Sequence, residues 1–264
     1  MVKNVILRVL LLALAFELGS AVGFSSEAHA ILNVESLRLK LRKDESVGSV
    51  GLSFDRKEGN TDTMKLLAQG QALWLVRDTE IIGLFEREFG TSNGKHDVNR
   101  SLGHVRANWP ASSKLSYETF GQLEENRFLR LSTRSLLGSG VRQNWFQEET
   151  FSVHTGVGAF WSRETLEFLP GTSDAGTQDI WRGNVYLSLN YLVTKEVELS
   201  TITYYQPAIT SIEDARILNT TLARFWVNQR LNVALTYNLT LDTRPPEQVQ
   251  PTDQNYGTIL SYVF

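Results

Sequence analysis

The sequence has no cysteine among its 264 residues. This absence excludes disulfides, thiolate metal sites and cysteine nucleophiles. Basic runs are missing as well, because 26 Lys and Arg are dispersed among 29 Asp and Glu and the formal net charge is −3. Nucleic-acid binding needs a basic surface, so we expect no nucleic-acid partner. Only 6 residues are proline whereas 10% are aromatic, and such an apolar, aromatic chain is not disordered.

Long apolar runs are also absent, apart from a short one near the start. Lys3 and Arg8 accompany an apolar core from Val9 to Phe16, and small residues follow up to Ala28-His29-Ala30. This order is typical of a signal peptide, which we predict over residues 1–30 with cleavage after Ala30. A membrane anchor fits less well, because Glu17 ends the apolar run well short of the roughly 20 residues that a spanning helix needs.

The remaining chain alternates apolar and polar residues with a period of two. From Leu231 to Asp242, every odd-numbered residue is apolar and the even-numbered ones are largely polar, a pattern that fits a strand and no helix. Turn residues divide the chain into twelve such segments. We predict strands at Ser46–Lys57, Thr61–Val76, Thr79–Phe89, Val98–Trp109, Ser113–Gln122, Arg127–Trp145, Thr150–Glu164, Asp179–Val193, Val197–Gln206, Ala215–Val227, Leu231–Asp242 and Gln254–Phe264.

The predicted connections alternate in length. One set is short throughout, and the other contains the long loops 90–97, 165–178, 207–214 and 243–253. An even number of strands with short turns at one end is typical of an all-β, antiparallel, up-and-down transmembrane β-barrel. We place it at residues 46–264, with residues 31–45 as a periplasmic N-terminal extension. A soluble barrel would show the same alternation with an apolar interior, but twelve strands make a wide barrel that a polar filling suits better.

Aromatic residues fall near both ends of the predicted strands, as in the two girdles of a membrane barrel. The short-turn end has Trp74, Trp109, Trp145, Phe146, Tyr191, Phe225, Trp226 and Phe264, and the other end has Phe89, Phe120, Trp181, Tyr205 and Tyr256.

Charged residues share the polar faces of the strands. Their parity places them in the lumen if the apolar faces meet lipid. The predicted lumen-lining residues are Arg100, Arg106, Arg130, Arg134, Arg142, Arg182, Arg216 and Arg224, with Glu86, Glu88, Glu118, Glu198 and Asp242 as counter-charges. Four glycines on polar faces, Gly138, Gly140, Gly156 and Gly158, are interpreted as positions that relieve crowding inside the barrel.

The final strand ends on phenylalanine. Tyr256, Leu260, Tyr262 and Phe264 share one face of it, and this resembles the C-terminal signal by which the outer-membrane assembly machinery recognises its clients. We therefore expect that machinery as a partner, together with outer-membrane lipid and lipopolysaccharide.

Several segments resemble a domain-of-unknown-function family described as salt-induced outer-membrane proteins. They are Val50 to Phe54 leading into Glu58-Gly59-Asn60-Thr61, the pattern from Arg134 to Gly140, and Pro245 to Asp253 before the closing Tyr262-Val263-Phe264. The resemblance covers most of the chain from about Val47. It implies an outer-membrane β-barrel with no established enzymatic activity and no agreed functional residues.

Enzyme chemistry has little support in the sequence. Ser152 and His154 lie two apart on one strand face, but their parity turns them into the lumen and away from lipid substrate. His96 in a loop and His104 in a strand have no metal-ligand spacing. We expect no catalytic residue, no metal and no cofactor.

The function expected from the sequence is therefore that of a small barrel in the bacterial outer membrane, reached by export. It is either a passive pore for ions and small solutes, with a preference for anions, or a structural envelope protein. Two alternatives stay open: an outer-membrane lipid-modifying hydrolase, and a closed barrel that binds a ligand or partner through its long loops.

Overall fold

A computed structural model describes residues 46–57, 63–92 and 95–264. The predicted signal peptide and the predicted extension at 31–45 lie outside the described residues. The Gly59-Asn60-Thr61 turn of the family resemblance does so too.

Twelve strands make up almost all of the described chain. They are β1 (Ser46–Lys57), β2 (Thr63–Val76), β3 (Thr79–Ser92), β4 (Lys95–Pro110), β5 (Leu115–Asn126), β6 (Leu131–Gln147), β7 (Phe151–Leu166), β8 (Gly176–Thr194), β9 (Val197–Ala208), β10 (Ser211–Trp226), β11 (Leu231–Asp242) and β12 (Thr252–Val263). Each strand pairs antiparallel with its neighbours in the chain, and β1 pairs with β12 to close the barrel. The predicted fold class, a closed antiparallel barrel of twelve strands, is confirmed.

Two of the predicted long loops are shorter than expected, because the flanking strands continue into them. The β3–β4 ladder continues to Ser92 and Lys95 after a register shift at Gly90, and the β9–β10 ladder reaches Ala208 and Ser211. His96 therefore lies in β4 and not in a loop. The apolar alternation stops at the edge of the apolar band, while hairpin hydrogen bonds extend beyond it. Sequence periodicity consequently ends these strands too early.

The two ends of the barrel differ in their connections. Turns 77–78, 111–114, 148–150, 195–196 and 227–230 lie at one end, here called the turn end, with the start of β1 and the end of β12. The opposite end, here called the mouth, holds the two long loops 167–175 and 243–251. A short 3-10 helix, Arg127–Leu129, joins β5 to β6 there. Among the described residues, no helix has the length and apolar character needed to cross a bilayer.

The barrel is apolar outside and polar inside. Outward-facing Phe54, Phe85, Leu137 and Val157 are each more than half exposed, whereas inward-facing Arg100 and Arg182 are among the most buried side chains. A soluble barrel would have the opposite arrangement, because its apolar side chains would fill the interior.

Most of the predicted girdle residues lie on the outer surface. Trp74, Trp109 and Trp145 are exposed near the turn end, and Trp181 and Tyr256 are exposed nearer the mouth. Phe120 was assigned to a girdle by its position near a strand end, but it faces the lumen and is 4% exposed. Phe120 lies two positions after Glu118 on β5, so both side chains face the lumen.

Candidate functional site: the barrel lumen

Near the mouth, a chain of ion pairs runs through the lumen. Seven side chains from seven strands alternate in sign along it, and we call this set the charge ladder. Its members, in order, are Asp242, Arg216, Glu164, Arg134, Glu124, Arg100 and Glu86.

Glu164 on β7 is the centre of the charge ladder. Its two carboxylate oxygens accept hydrogen bonds of 2.7 and 3.0 Å from Nη1 and Nη2 of Arg216, and its Oε1 is 3.2 Å from Nε of Arg134. Arg216 also donates from Nε to Asp242 at 2.8 Å. Strands β8 and β9 lie between β7 and β10, so the Arg216 side chain must cross the interior to reach Glu164.

The other half of the charge ladder follows neighbouring strands. Arg134 Nη1 is 3.2 Å from Glu124 Oε2, and Arg100 is 3.7 Å from Glu124 and 2.7 Å from Glu86. These residues meet because each strand turns its even-numbered side chains inward at nearly the same height. Long side chains of both signs therefore fill this part of the lumen.

A second inward-facing cluster combines charge with aromatic rings. The Tyr186 hydroxyl donates to Glu118 at 2.9 Å, and Arg106 Nη1 is 3.6 Å from the same carboxylate. The Arg106 guanidinium lies 5.3 Å from the Phe120 ring centroid and 5.7 Å from that of Tyr186. A desolvated cation over aromatic faces is stabilised by their quadrupoles. Arg142 joins this cluster at 3.5 Å from the Tyr186 hydroxyl.

Glycines make room for the aromatic rings. A Cβ atom on Gly156 would lie 2.0 Å from Cε1 of Tyr186, and one on Gly138 would lie 2.5 Å from Cζ of Phe120. At Gly140 the same atom would meet the backbone oxygen of Val157 at 2.6 Å. The structure therefore agrees with the interpretation that these glycines relieve crowding.

Two further arginines face the lumen. Arg182 binds the Asp214 carboxylate at 2.9 Å and donates to the backbone oxygens of Gln206 and Asp214. Arg224 donates to Glu198 at 3.2 Å near the turn end. Seven of the eight predicted lumen arginines thus face inward, and Arg100, Arg106, Arg134, Arg182, Arg216 and Arg224 each lie within 4 Å of a carboxylate.

Arg130, the eighth, lies at the mouth and joins the two long loops. Its Nη1 donates to Asp174 at 2.7 Å and to the backbone oxygen of Glu247 at 2.8 Å. Its Nη2 donates to the backbone oxygen of Glu167 and the hydroxyl of Thr172. The backbone at Arg130 has a φ of 55°, in the left-handed region that a non-glycine residue rarely adopts.

Direct bonds between the two loops complete this arrangement, here called the mouth clasp. Ser173 donates from its hydroxyl to the Glu247 carboxylate at 2.6 Å, and the Glu247 backbone N–H donates to Asp174 at 2.7 Å. Burial opposes ionisation of Asp174, but the hydrogen bonds from Glu247 and Arg130 outweigh it and lower the pKa of that carboxyl. Because β5–β6 and β11–β12 lie far apart around the barrel, loop 243–251 extends across the mouth.

One side of the lumen differs from the rest. On β11, β12, β1 and β2 the inward-facing residues Ser53, Leu67, Thr236, Asn255 and Gly257 are only partly buried. On these four strands the charged residues Asp55, Lys65, Asp242 and Asp253 occupy inward positions towards the mouth, and the inward-facing residues between them and the turn end are uncharged. We call this side the uncharged wall. Other inward-facing residues of the same strands, among them Leu73, Ala234, Ile259 and Ser261, are buried.

Ser152 and His154 face the lumen near the turn end. His154 Nδ1 is 2.8 Å from Asn144 Oδ1, and the Ser152 hydroxyl accepts from Asn190 at 3.3 Å. His104 lies elsewhere, 3.2 Å from Gln122 and stacked on Phe120. In the part of the chain that the structure describes, no cluster of three or more His, Asp or Glu side chains is arranged to hold a metal ion.

The C-terminal residues Tyr256, Leu260, Tyr262 and Phe264 all face outward and are exposed. Phe264 also closes the barrel at the turn end, where its backbone exchanges hydrogen bonds of 2.9 and 3.0 Å with Gly48.

The sequence reasoning missed Glu124 and Glu164 as ladder members and the role of Arg130. Parity alone could have added both glutamates, since each lies on the inward register of its strand. No local signal marks Arg130, because its partners come from loops distant in sequence.

A closed twelve-stranded barrel with an apolar exterior and a charged interior belongs to the outer-membrane class of β-barrels. The chain belongs to the family described as "Protein of unknown function, DUF481", whose model matches residues 50–264. No curated protein matches the chain.

Several solved structures resemble it in fold. The NanC porin has a TM-score of 0.50 at 6% identity, over 82% of this chain and 98% of that chain. The KdgM porin in complex with disordered oligogalacturonate has a TM-score of 0.44 at 10% identity, over 83% and 99%. The translocator domain of the autotransporter NalP from Neisseria meningitidis has a TM-score of 0.43 at 9% identity, over 87% and 91%.

Proposed function

We propose that this protein is a non-enzymatic barrel of the bacterial outer membrane that forms a narrow passive pore for small uncharged polar solutes. The observation that carries the proposal is the asymmetry of the lumen. Long charged side chains fill one side, and partly exposed hydroxyl, amide and glycine positions line the uncharged wall.

The ion pairs argue against a strong preference for anions. An arginine that is paired with a carboxylate adds little net potential to the lumen, and Arg100, Arg106, Arg134, Arg182, Arg216 and Arg224 all have such a partner. The uncharged wall offers hydrogen-bonding groups but no net positive or negative electrostatic potential. A solute that carries hydroxyls or amides and no charge fits this lining best.

The exterior of the barrel supports the proposed location and partners. Exposed apolar side chains between two zones of tryptophan and tyrosine suit a bilayer, with lipopolysaccharide facing the mouth. Export by a cleaved signal peptide and recognition of the outward C-terminal face by the assembly machinery belong to the same proposal. Ser152 and His154 support no hydrolase, because each has a different hydrogen-bond partner inside the barrel.

Planar-bilayer recording of refolded residues 31–264 tests the pore. We expect small discrete conductance steps with a reversal potential near zero in a salt gradient. Thr236→Trp, which fills the uncharged wall, should reduce the conductance, whereas the outward-facing control Leu235→Trp should leave it unchanged. Equal conductance in both variants would contradict the proposed path.

The mouth clasp favours a second candidate, a closed barrel that presents its two long loops to a ligand or partner. In that case the folded wild-type protein would be electrically silent. Arg130→Ala would release the loops and abolish binding while the barrel stayed folded.

A further inference from the structure

The seam between β1 and β12 is closed over only part of its length. Four registered pairs join the two strands, from Ser49 with Val263 to Leu52 with Leu260. Every other neighbouring pair of strands is registered over at least ten positions. The closed part lies at the turn end.

Both strands continue past the last pair towards the mouth. β1 extends to Lys57 and remains paired with β2, and residues 257–259 of β12 remain paired with β11. Within the described residues, β1 and β12 share no registered pair beyond Leu52 and Leu260. The barrel wall therefore has an open slot on its mouth side, bounded by residues 53–55 and 257–259.

The slot connects two different surroundings. Outside, it is flanked by Phe54 and Leu260, which are 65% and 50% exposed. Inside, it borders the uncharged wall at Ser53 and Gly257. Unpaired strand edges are excluded from hydrocarbon unless they line a polar or hydrated cavity, and the uncharged wall supplies one.

We propose that the slot is a lateral opening that binds a small amphiphile with one alkyl chain and an uncharged polar head. The head lies against the uncharged wall, where it satisfies the free strand edges. The chain extends between Phe54 and Leu260 into the lipid. An ionic head is disfavoured, because the inward-facing residues Ser53, Gly257 and Ile259 beside the slot are uncharged. The acidic residue at its mouth end, Asp55, is registered opposite Lys65 on β2. This inference rests on the proposed outer-membrane location and on the uncharged wall.

Paired cysteines test the slot cleanly, since the chain contains no cysteine of its own. Leu52→Cys with Leu260→Cys occupies the last registered pair. Phe54→Cys with Thr258→Cys occupies the positions that would follow on the same outer face if the ladder continued. Registered strand partners have the Cβ separation that a disulfide requires.

Both double variants are oxidised after refolding into phosphatidylcholine vesicles. We expect a disulfide in the first pair and none in the second, where only a longer bis-maleimide should bridge the two thiols. Equally rapid disulfide formation in the second pair would overturn the open slot.

Ligand binding is tested with a photoreactive monoacylglycerol in the same vesicles. We expect the label on β1 and β12 beside the slot, and its loss when the bis-maleimide bridges positions 54 and 258. A bridge between positions 52 and 260 should leave the label in place. Uniform labelling of the lipid-facing surface would refute the binding site. So would labelling that is unaffected by the bridge between positions 54 and 258. Both measurements are made on folded barrel without current recording, so their failure is distinguishable from failure of the pore.

Discussion

Removing the charge of Glu164 should lower the free energy of unfolding of the barrel. Glu164→Gln keeps the shape of the side chain and removes the charge that faces both Arg134 and Arg216. The Glu164 side chain is 1% exposed, so water cannot replace the lost interaction. Removing one partner of a buried ion pair destabilises a protein by about 3–5 kcal/mol.

The lower end of that range applies here. Arg134 retains Glu124, and Arg216 retains Asp242, so neither guanidinium is left without a carboxylate. We expect a loss of about 3 kcal/mol in the free energy of unfolding. With a urea m-value of roughly 2 kcal/mol/M, the unfolding midpoint should fall by about 1.5 M.

Tryptophan fluorescence during urea unfolding in lipid vesicles measures this shift. Asp179→Asn is the matched control, because Asp179 forms a bidentate pair with Arg163, next to Glu164, on the outer surface. That pair is exposed, so its loss should leave the midpoint almost unchanged. A shift below about 0.5 M for Glu164→Gln, equivalent to the roughly 1 kcal/mol of a surface pair, would refute the argument from burial.

Three other predictions concern the mouth, the glycines and the C-terminus. The lowered pKa of Asp174 means that the mouth clasp is fully formed above the ordinary aspartate pKa of about 3.9 and is lost as the pH falls from there through the lowered pKa. Hydrogen exchange in loops 167–175 and 243–251 should therefore accelerate in acid, and Arg130→Ala should show fast exchange at neutral pH as well; loops that stay protected in both cases would contradict the clasp. Gly156→Ala should destabilise the barrel by about 1–3 kcal/mol through overpacking, and Tyr186→Ala should remove that penalty in a double-mutant cycle of urea unfolding; additive effects would show that the ring is not the obstacle. Phe264→Ala should reduce the amount of heat-modifiable barrel recovered from outer membranes in cells, and unchanged recovery would argue against the assembly signal.

The strands were predictable because a two-residue period leaves one arrangement that keeps apolar side chains together. β11 was predicted with its observed bounds, since its odd-numbered residues are apolar to the last position and turn residues flank it. β3 and β4 were predicted too short, because their rim residues are held by hairpin hydrogen bonds and carry no apolar pattern. The local sequence pattern therefore predicts where the strands lie more accurately than where they end.

The sequence predicted which side chains face the lumen, but it did not predict which residues they bind. Parity places Arg216 inside the barrel, but its bond to Glu164 depends on which strands face one another across the lumen. The mouth clasp depends on loop conformations with positive φ at Gly171 and Gln248 and on contacts between residues more than seventy positions apart. Neither follows from a pattern within one segment.

The short seam between β1 and β12 also has a consequence for the order of folding. All other strand pairs are hairpins between chain neighbours, which form with short loop closures. Joining β1 to β12 instead closes a loop of nearly the whole chain, whose entropy loss grows as (3/2)RT ln n and reaches roughly 5 kcal/mol. The four registered pairs and the hydrogen bonds between Gly48 and Phe264 must offset that loss. Closure should therefore be the last event in folding and the first to reverse, so that a curved sheet of eleven hairpins precedes the barrel on every successful route.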